Sequence, residues 1–188
     1  MERIELNIGG KDLVFAVEFE DDYDAGTPWE MADGHGPVTG WERRNKRPGE
    51  LVLNSDRGAK RFYDFAEACR IALRDGWGLS EDCIADWTER AGRAPTRRQI
   101  AAAAALSDFE YLRGWCADQW RYVGVVVTLL DPQGEKTEVS DSLWGVETLH
   151  DFHHEQARQL ADELAHGYGT RWVEAQKSTY EYFAREGA

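Results

Sequence analysis

Trp115-Cys-Ala-Asp-Gln-Trp-Arg-Tyr-Val-Gly-Val-Val-Val-Thr-Leu-Leu130, followed by Asp131-Pro-Gln-Gly134 and Glu135-Lys-Thr-Glu-Val-Ser-Asp-Ser-Leu-Trp-Gly-Val146, decides the fold. From Arg121 to Leu130 one face carries Val123, Val125, Val127 and Leu129, and the other carries Tyr122, Gly124, Val126, Thr128 and Leu130. Neither face suits water, so the stretch predicts a central strand. Asp131-Pro-Gln-Gly134 has Asp first, Pro second and Gly fourth, the chemistry of a type I turn, which sends Lys136 to Val146 back as an antiparallel neighbour. The apolar parity changes between Val139 and Trp144, and that predicts a bulge or strand end near Asp141 and Ser142.

Toward the amino terminus, Ile4, Leu6 and Ile8 alternate with Glu5 and Asn7, and after Gly9-Gly10 Leu13, Phe15, Val17 and Phe19 alternate with Asp12, Val14, Ala16 and Glu18; this predicts a second hairpin with one buried face. Residues 20–50 break every helical or strand period with Gly26, Pro28, Gly34, Gly36, Pro37, Gly40, Pro48 and Gly49, and predict a long irregular loop pinned by Trp29 and Trp41. Leu51-Val-Leu53 offers a short fifth strand. Phe62, Phe65, Cys69 and Leu73 fall at helical spacing, predicting a helix from Arg61 to about Asp75. Ser80 with Glu81 and Asp82 starts another, to about Arg90. Thr96-Arg-Arg-Gln99 fits a capping box and opens a longer helix whose inner face is Ile100, Ala103, Leu106 or Ser107, Phe109, Leu112, Cys116 and Trp120. Phe152, Gln156 or Ala157, Leu160 and Leu164 mark a fourth helix, ended by Gly167 and Gly169; Thr170 caps a fifth through Val173, Gln176, Tyr180 and Phe183. The order predicts a single α+β domain, 1–188: an antiparallel sheet of two hairpins, about four or five strands, covered by about five helices.

With 42% apolar residues in 188, the chain can bury a substantial core, and 8 Trp argue against extended disorder. Three Cys, at 69, 83 and 116, form no C-x-x-C pair and suit reduced, buried thiols in a cytosolic compartment. The start, Met-Glu-Arg-Ile-Glu-Leu, has no basic region, apolar run or cleavage site, so no signal peptide is expected; no apolar run approaches the roughly 18 residues of a spanning helix, so a soluble protein is expected.

The net charge of −13 is uneven: residues 1–35 carry −8, 36–60 carry +3, 61–130 carry −1 and 131–188 carry −7. Free nucleic acid, a dense polyanion, would be repelled by this distribution, whereas a basic protein partner would be attracted. Glu18, Glu20, Asp21, Asp22 and Asp24 form the densest acidic run, a candidate patch for Arg or Lys of a partner, with Trp29 and Trp41 as aromatic contacts. The run lacks the spacing of an EF-hand. Arg43, Arg44, Lys46 and Arg47 are the basic cluster, expected to pair with the protein's own acids.

His150 and His154 lie four apart, a spacing that on a helix can hold a divalent metal through two imidazoles, and their neighbours Asp151 and Glu155 are also four apart, but the stretch lacks H-E-x-x-H and no other His or Cys is expected to complete a shell. They are candidate ligands only, and no cofactor is expected. Gly34-His-Gly-Pro-Val-Thr-Gly40 has neither G-x-G-x-x-G spacing nor a following helix; His35 is of the residue type that serves as a general base, with no nucleophile to assign to it. Trp115, Trp120 and Trp144 adjoin the central strand and read as core.

Gly26-Thr-Pro-Trp-Glu30, Asp33-Gly-His-Gly-Pro-Val38, Lys46-Arg-Pro-Gly-Glu50, Asp56-Arg-Gly-Ala-Lys-Arg-Phe-Tyr-Asp-Phe65, Arg74-Asp-Gly-Trp-Gly78, Trp115-Cys-Ala-Asp-Gln-Trp120 and Asp141-Ser-Leu-Trp-Gly145 together resemble a family of small accessory proteins of tailed phages and prophages. The resemblance covers most of the chain. It implies a phage accessory role in a bacterial cytoplasm and supplies no activity or catalytic residue.

The expected function is therefore a non-enzymatic, acidic inhibitor of a host nucleic-acid-binding defence protein, of the anti-CRISPR or anti-restriction type. It would act by protein–protein binding as a DNA mimic, with no direct nucleic-acid or membrane contact. The alternatives are a metal-dependent enzyme using His150, His154 and His35, and a phage structural or assembly factor.

Overall fold

The computed structural model describes residues 2–8 and 11–168. Among the described residues, six strands and five helices make an α+β fold, and the chain divides into two compact units: residues 1–25 with 121–188, and residues 26–120.

The first unit is a four-stranded antiparallel sheet of β1 (Glu2–Ile8), β2 (Lys11–Asp21), β5 (Tyr122–Leu130) and β6 (Lys136–Glu147), in the order β1-β2-β5-β6. The two predicted hairpins meet by pairing β2 with β5, Phe15 opposite Leu129, Val17 opposite Val127 and Phe19 opposite Val125. Ile8 stands opposite Lys11, which leaves two residues for the first turn; that turn, Gly9-Gly10, lies outside the described residues. β5 is central, and eight of its nine residues are buried. At the second turn the Gly134 N–H donates to the Asp131 carbonyl at 2.9 Å, and Gly134 takes φ 87°, where a glycine carries no Cβ penalty.

The core face of this sheet, with Phe15, Val17, Val125, Val127 and Leu129, packs against Ala157, Ala161 and Ala165. These alanines recur every four residues along a helix covering 152–168, α5, preceded by a 3-10 turn at Leu149–Asp151. Small side chains at that spacing let the helix axis come close to the sheet, while Leu160 and Leu164 fill the flanks. Gly167 is helical, so it does not end α5 as predicted; Gly169 and the predicted fifth helix from Thr170 lie outside the described residues.

The second unit contains a separate two-stranded sheet, β3 (Glu50–Asp56) and β4 (Ala59–Asp64), with helices α1 (Pro28–Met31), α2 (Phe65–Asp75), α3 (Glu81–Ala91) and α4 (Arg97–Cys116). The predicted fifth strand is thus half of a third hairpin, turned at Arg57-Gly58 with φ of 45° and 83°. The helix predicted from Arg61 begins at Phe65, because 59–64 is strand: Phe62 and Tyr63, adjacent and pointing to opposite faces, are both fully buried. Asp64 caps α2 by accepting from the Glu67 N–H at 2.9 Å. Ser80 caps α3, and the Thr96–Gln99 capping box of α4 is closed in both directions.

The buried face of α4 is Ala101, Ala104, Ala105, Phe109 and Leu112, so the predicted face is displaced in its first turns and Leu106 is exposed. Trp120 follows the helix and is buried, its indole N–H donating to the Tyr111 carbonyl at 2.9 Å. Cys83 is exposed, contrary to the reading of all three thiols as buried; burial pushes the partly covered Cys69 and Cys116 thiols up. Among the described residues no helix is long and apolar enough to cross a membrane.

The irregular stretch after β2 is laid along the free edge of β4. Thr39 N–H donates to the Phe62 carbonyl at 2.9 Å, Asp64 N–H to Pro37 at 2.9 Å, and Glu42 and Lys60 exchange backbone bonds of 2.9 and 2.8 Å. Residues 37–42 thereby cap the edge as a third strand would.

Candidate functional site

The β2–β5 pairing draws the two acidic ends of the chain into one unit. Residues 1–25 and 121–188 hold 20 acidic and 8 basic residues, a balance of −12; residues 26–120 hold 15 and 14, a balance of −1. Almost the whole net charge of the protein thus belongs to the four-stranded unit.

Within it, the acidic run forms the last part of β2 and the turn after it, and its members do different things. Glu18 meets Lys136, and Asp21 meets Arg121 at 2.8 Å. Asp22 is structural: one carboxylate oxygen accepts from Asp24 N–H at 3.2 Å and Ala25 N–H at 3.0 Å, and the other accepts from Gly145 N–H at 2.9 Å. It therefore ties the end of β2 to a bulge in β6. That bulge sits at Trp144-Gly145, where Gly145 takes φ 73°, and the predicted site at Asp141 and Ser142 keeps regular pairing with Val127 and Val126. Glu20 and Asp24 are exposed.

Two aromatic residues beside this run were not singled out as binding residues. Tyr23 is 89% exposed, its hydroxyl donating to Asp21 at 3.2 Å. Trp144, read as core, is 49% exposed; its ring covers Gly124, where a Cβ would lie 2.5 Å from it. Gly124 stands opposite Glu20 in the ladder, so an acidic side chain and a half-exposed indole flank the same residue. The available signal was the lone glycine in a run of β-branched residues, which marks a close approach to the backbone.

Trp29 and Trp41 belong to the other unit and enclose a cation there. The Arg61 guanidinium lies 5.1 Å from the Trp29 ring and 4.7 Å from the Trp41 ring, and Trp29 meets Trp115 edge-on at 5.5 Å. Arg44 of the basic cluster pairs with Glu42 and, through both terminal nitrogens, with Glu50 at 2.6 and 2.8 Å, as expected of internal pairing. Arg44 first, with the Arg47 N–H, holds the Glu50 carboxyl down to about 2 against the opposing effect of burial.

The histidine cluster is rearranged from its prediction. His150 is not on the helix: it and Asp151 take left-handed φ of 51° and 60°, a conformation that costs about 1–2 kcal/mol for each such residue. The side chains brought together are Asp151, His153 and His154, whose possible ligand atoms lie within 4.8 Å of one another. The two imidazoles are 4.1 Å apart at their centroids, and both meet Phe19 edge-on at 4.8 and 5.0 Å. His154 Nδ1 lies 3.1 Å from the Glu2 carboxylate of β1. His153 Nδ1 is buried and has no hydrogen-bond partner among the described residues. Burial, and then His154, push the His153 imidazole below its ordinary value.

His35 acquires a partner invisible in the sequence. Its Nδ1 lies 2.6 Å from Asp108 of α4, and its ring stacks on Tyr111 at 5.5 Å. The second Asp108 oxygen accepts from Gly36 N–H at 2.8 Å and from the Tyr63 hydroxyl at 2.7 Å. Burial and then Asp108 push the Tyr63 phenol far above its usual range. A His–Asp pair of this kind orients an imidazole in many hydrolases, but here the carboxylate also fastens backbone and phenol, which makes it the rivet holding residues 34–36 to α4. A Cβ at Gly36 would meet the Tyr63 ring at 2.5 Å, so only glycine passes this point.

Compared with family models, curated proteins and solved structures, the chain matches none.

Proposed function

We propose that the protein is a non-enzymatic binding module whose four-stranded unit seats on a basic, nucleic-acid-binding surface of another protein, and that a host defence protein of the restriction or CRISPR type is the target. The observation carrying this reading is the −12 balance of one unit beside −1 in the other. A groove that binds phosphates attracts carboxylates by the same field, which steers association and makes it sensitive to salt. Tyr23 and Trp144 supply large, stiff aromatic contact area amid Glu20 and Asp24, the pairing of anchor and charge that interfaces favour. Asp22 is excluded from the contact set because all its bonds are internal to the turn and the bulge.

The test is affinity capture from bacterial lysates that carry restriction and CRISPR systems, with the wild-type chain and the double variant E20K/D24K as baits and elution by a salt gradient. A nucleic-acid-binding protein held by the wild type, released at moderate salt and lost with the variant is the expected result. Equal retention by the two baits, or none by either, would refute the reading.

A further inference from the structure

We propose that Asp151, His153 and His154 form a binding site for one divalent first-row transition cation, zinc being the best match, at the amino-terminal end of α5. Three observations converge. The ligand atoms of two imidazoles and one carboxylate lie within 4.8 Å of one another, so small side-chain rotations bring all three to the roughly 2 Å reach of one ion. His153 Nδ1 is a buried donor or acceptor without a hydrogen-bond partner among the described residues, a condition that folded proteins avoid unless the atom has another use. Glu2 lies 3.1 Å from His154 Nδ1, leaving Nε2 as that ring's remaining donor; a carboxylate on the far nitrogen of a ligating histidine fixes its orientation and raises its basicity.

The donor set chooses the ion. Two nitrogens and one oxygen suit zinc, nickel, cobalt or copper, and are poor ligands for magnesium or calcium, which take oxygen. Three protein ligands leave a position for water or for a group from a partner. The site lies within the four-stranded unit and joins β1, through Glu2, to the turn in which His150 and Asp151 hold left-handed backbone angles. An ion there would offset that strain and clip the first strand to the start of α5, so loading would raise stability. This role is independent of the binding function proposed above.

The experiment uses the tag-free full chain, stripped with a chelator and titrated with zinc chloride by calorimetry, and separately with cobalt chloride by visible absorption. One ion per chain is expected, with a cobalt band that zinc displaces and a higher melting temperature in the presence of zinc. D151N and H153A should each weaken zinc binding by at least about tenfold, while H150A should leave it unchanged. Because H153A is informative only when folded, imidazole NMR of the wild type provides the second measurement: zinc should shift the His153 and His154 signals and spare His35. Absence of binding to the wild type would overturn the proposal. So would binding that survives D151N and H153A, binding that H150A abolishes, or zinc shifts confined to other histidines.

Discussion

Gly124 and Asp108 are both single points of failure. A Cβ at Gly124 would lie 2.5 Å from the Trp144 ring, so Gly124→Ala should destabilise the protein by about 1–3 kcal/mol, as overpacking does. Urea unfolding measures this, and combining it with Trp144→Ala should recover most of the loss, since the clash then has no second partner. Asp108→Ala removes an acceptor from His35, Gly36 N–H and the Tyr63 hydroxyl together, and leaves the buried phenol with Ala105 alone among the acceptors it now has. A loss of about 3 kcal/mol is expected, with Asp108→Asn milder because it keeps acceptor capacity. His35 was visible in the sequence as an isolated imidazole. Its partner is 73 residues away, and no local pattern connects a loop histidine to one acid on a helix. The same holds for the metal ligands: spacing of four favoured His150 and His154, but the left-handed turn at His150 removes it from the helix and brings in His153.

Among the elements, those whose signals are local were legible and those set by pairing were not. β5 could be read because both of its faces are apolar, and the caps at Ser80 and Thr96 because their chemistry lies within three residues. The last four residues of β4, 61–64, read as the start of a helix because Phe62, Phe65 and Cys69 fall at helical spacing, while the information that decides it is the burial of Phe62 and Tyr63 on opposite faces. The β5–β6 ladder shifts register twice, between the Thr128–Ser140 and Leu130–Lys136 pairs and at Trp144-Gly145, and the second falls at Gly145 rather than Asp141 because the glycine accepts φ 73° and Asp22 is placed to receive its N–H.

The stretch between β2 and β3 has a titratable fastening of its own. Glu50 is held at about 2 in the fold against an ordinary 4.5, so its contribution to stability is whole above pH 4.5 and is lost as the pH falls through 2. Urea midpoints measured across that range should fall more steeply for the wild type than for Glu50→Gln, and parallel curves would show that the Arg44–Glu50 pair does not fasten this segment.

For the whole molecule, the sequence already held a −8 balance at one end and −7 at the other, but not their meeting. That meeting is a consequence of β2 pairing with β5 across a span of about a hundred residues, which leaves a nearly neutral unit inserted between the halves of an acidic one. Charge so concentrated raises the rate of encounter with a basic surface more than it raises the final affinity, so its mark is a salt-dependent association rate. Competition decides whether the acidic unit occupies a nucleic-acid groove: the captured target, bound to the protein, is titrated with its own duplex DNA or guide RNA. Mutual exclusion is expected, with the nucleic acid displacing the wild-type protein from the target. Simultaneous binding of protein and nucleic acid to the target would contradict it.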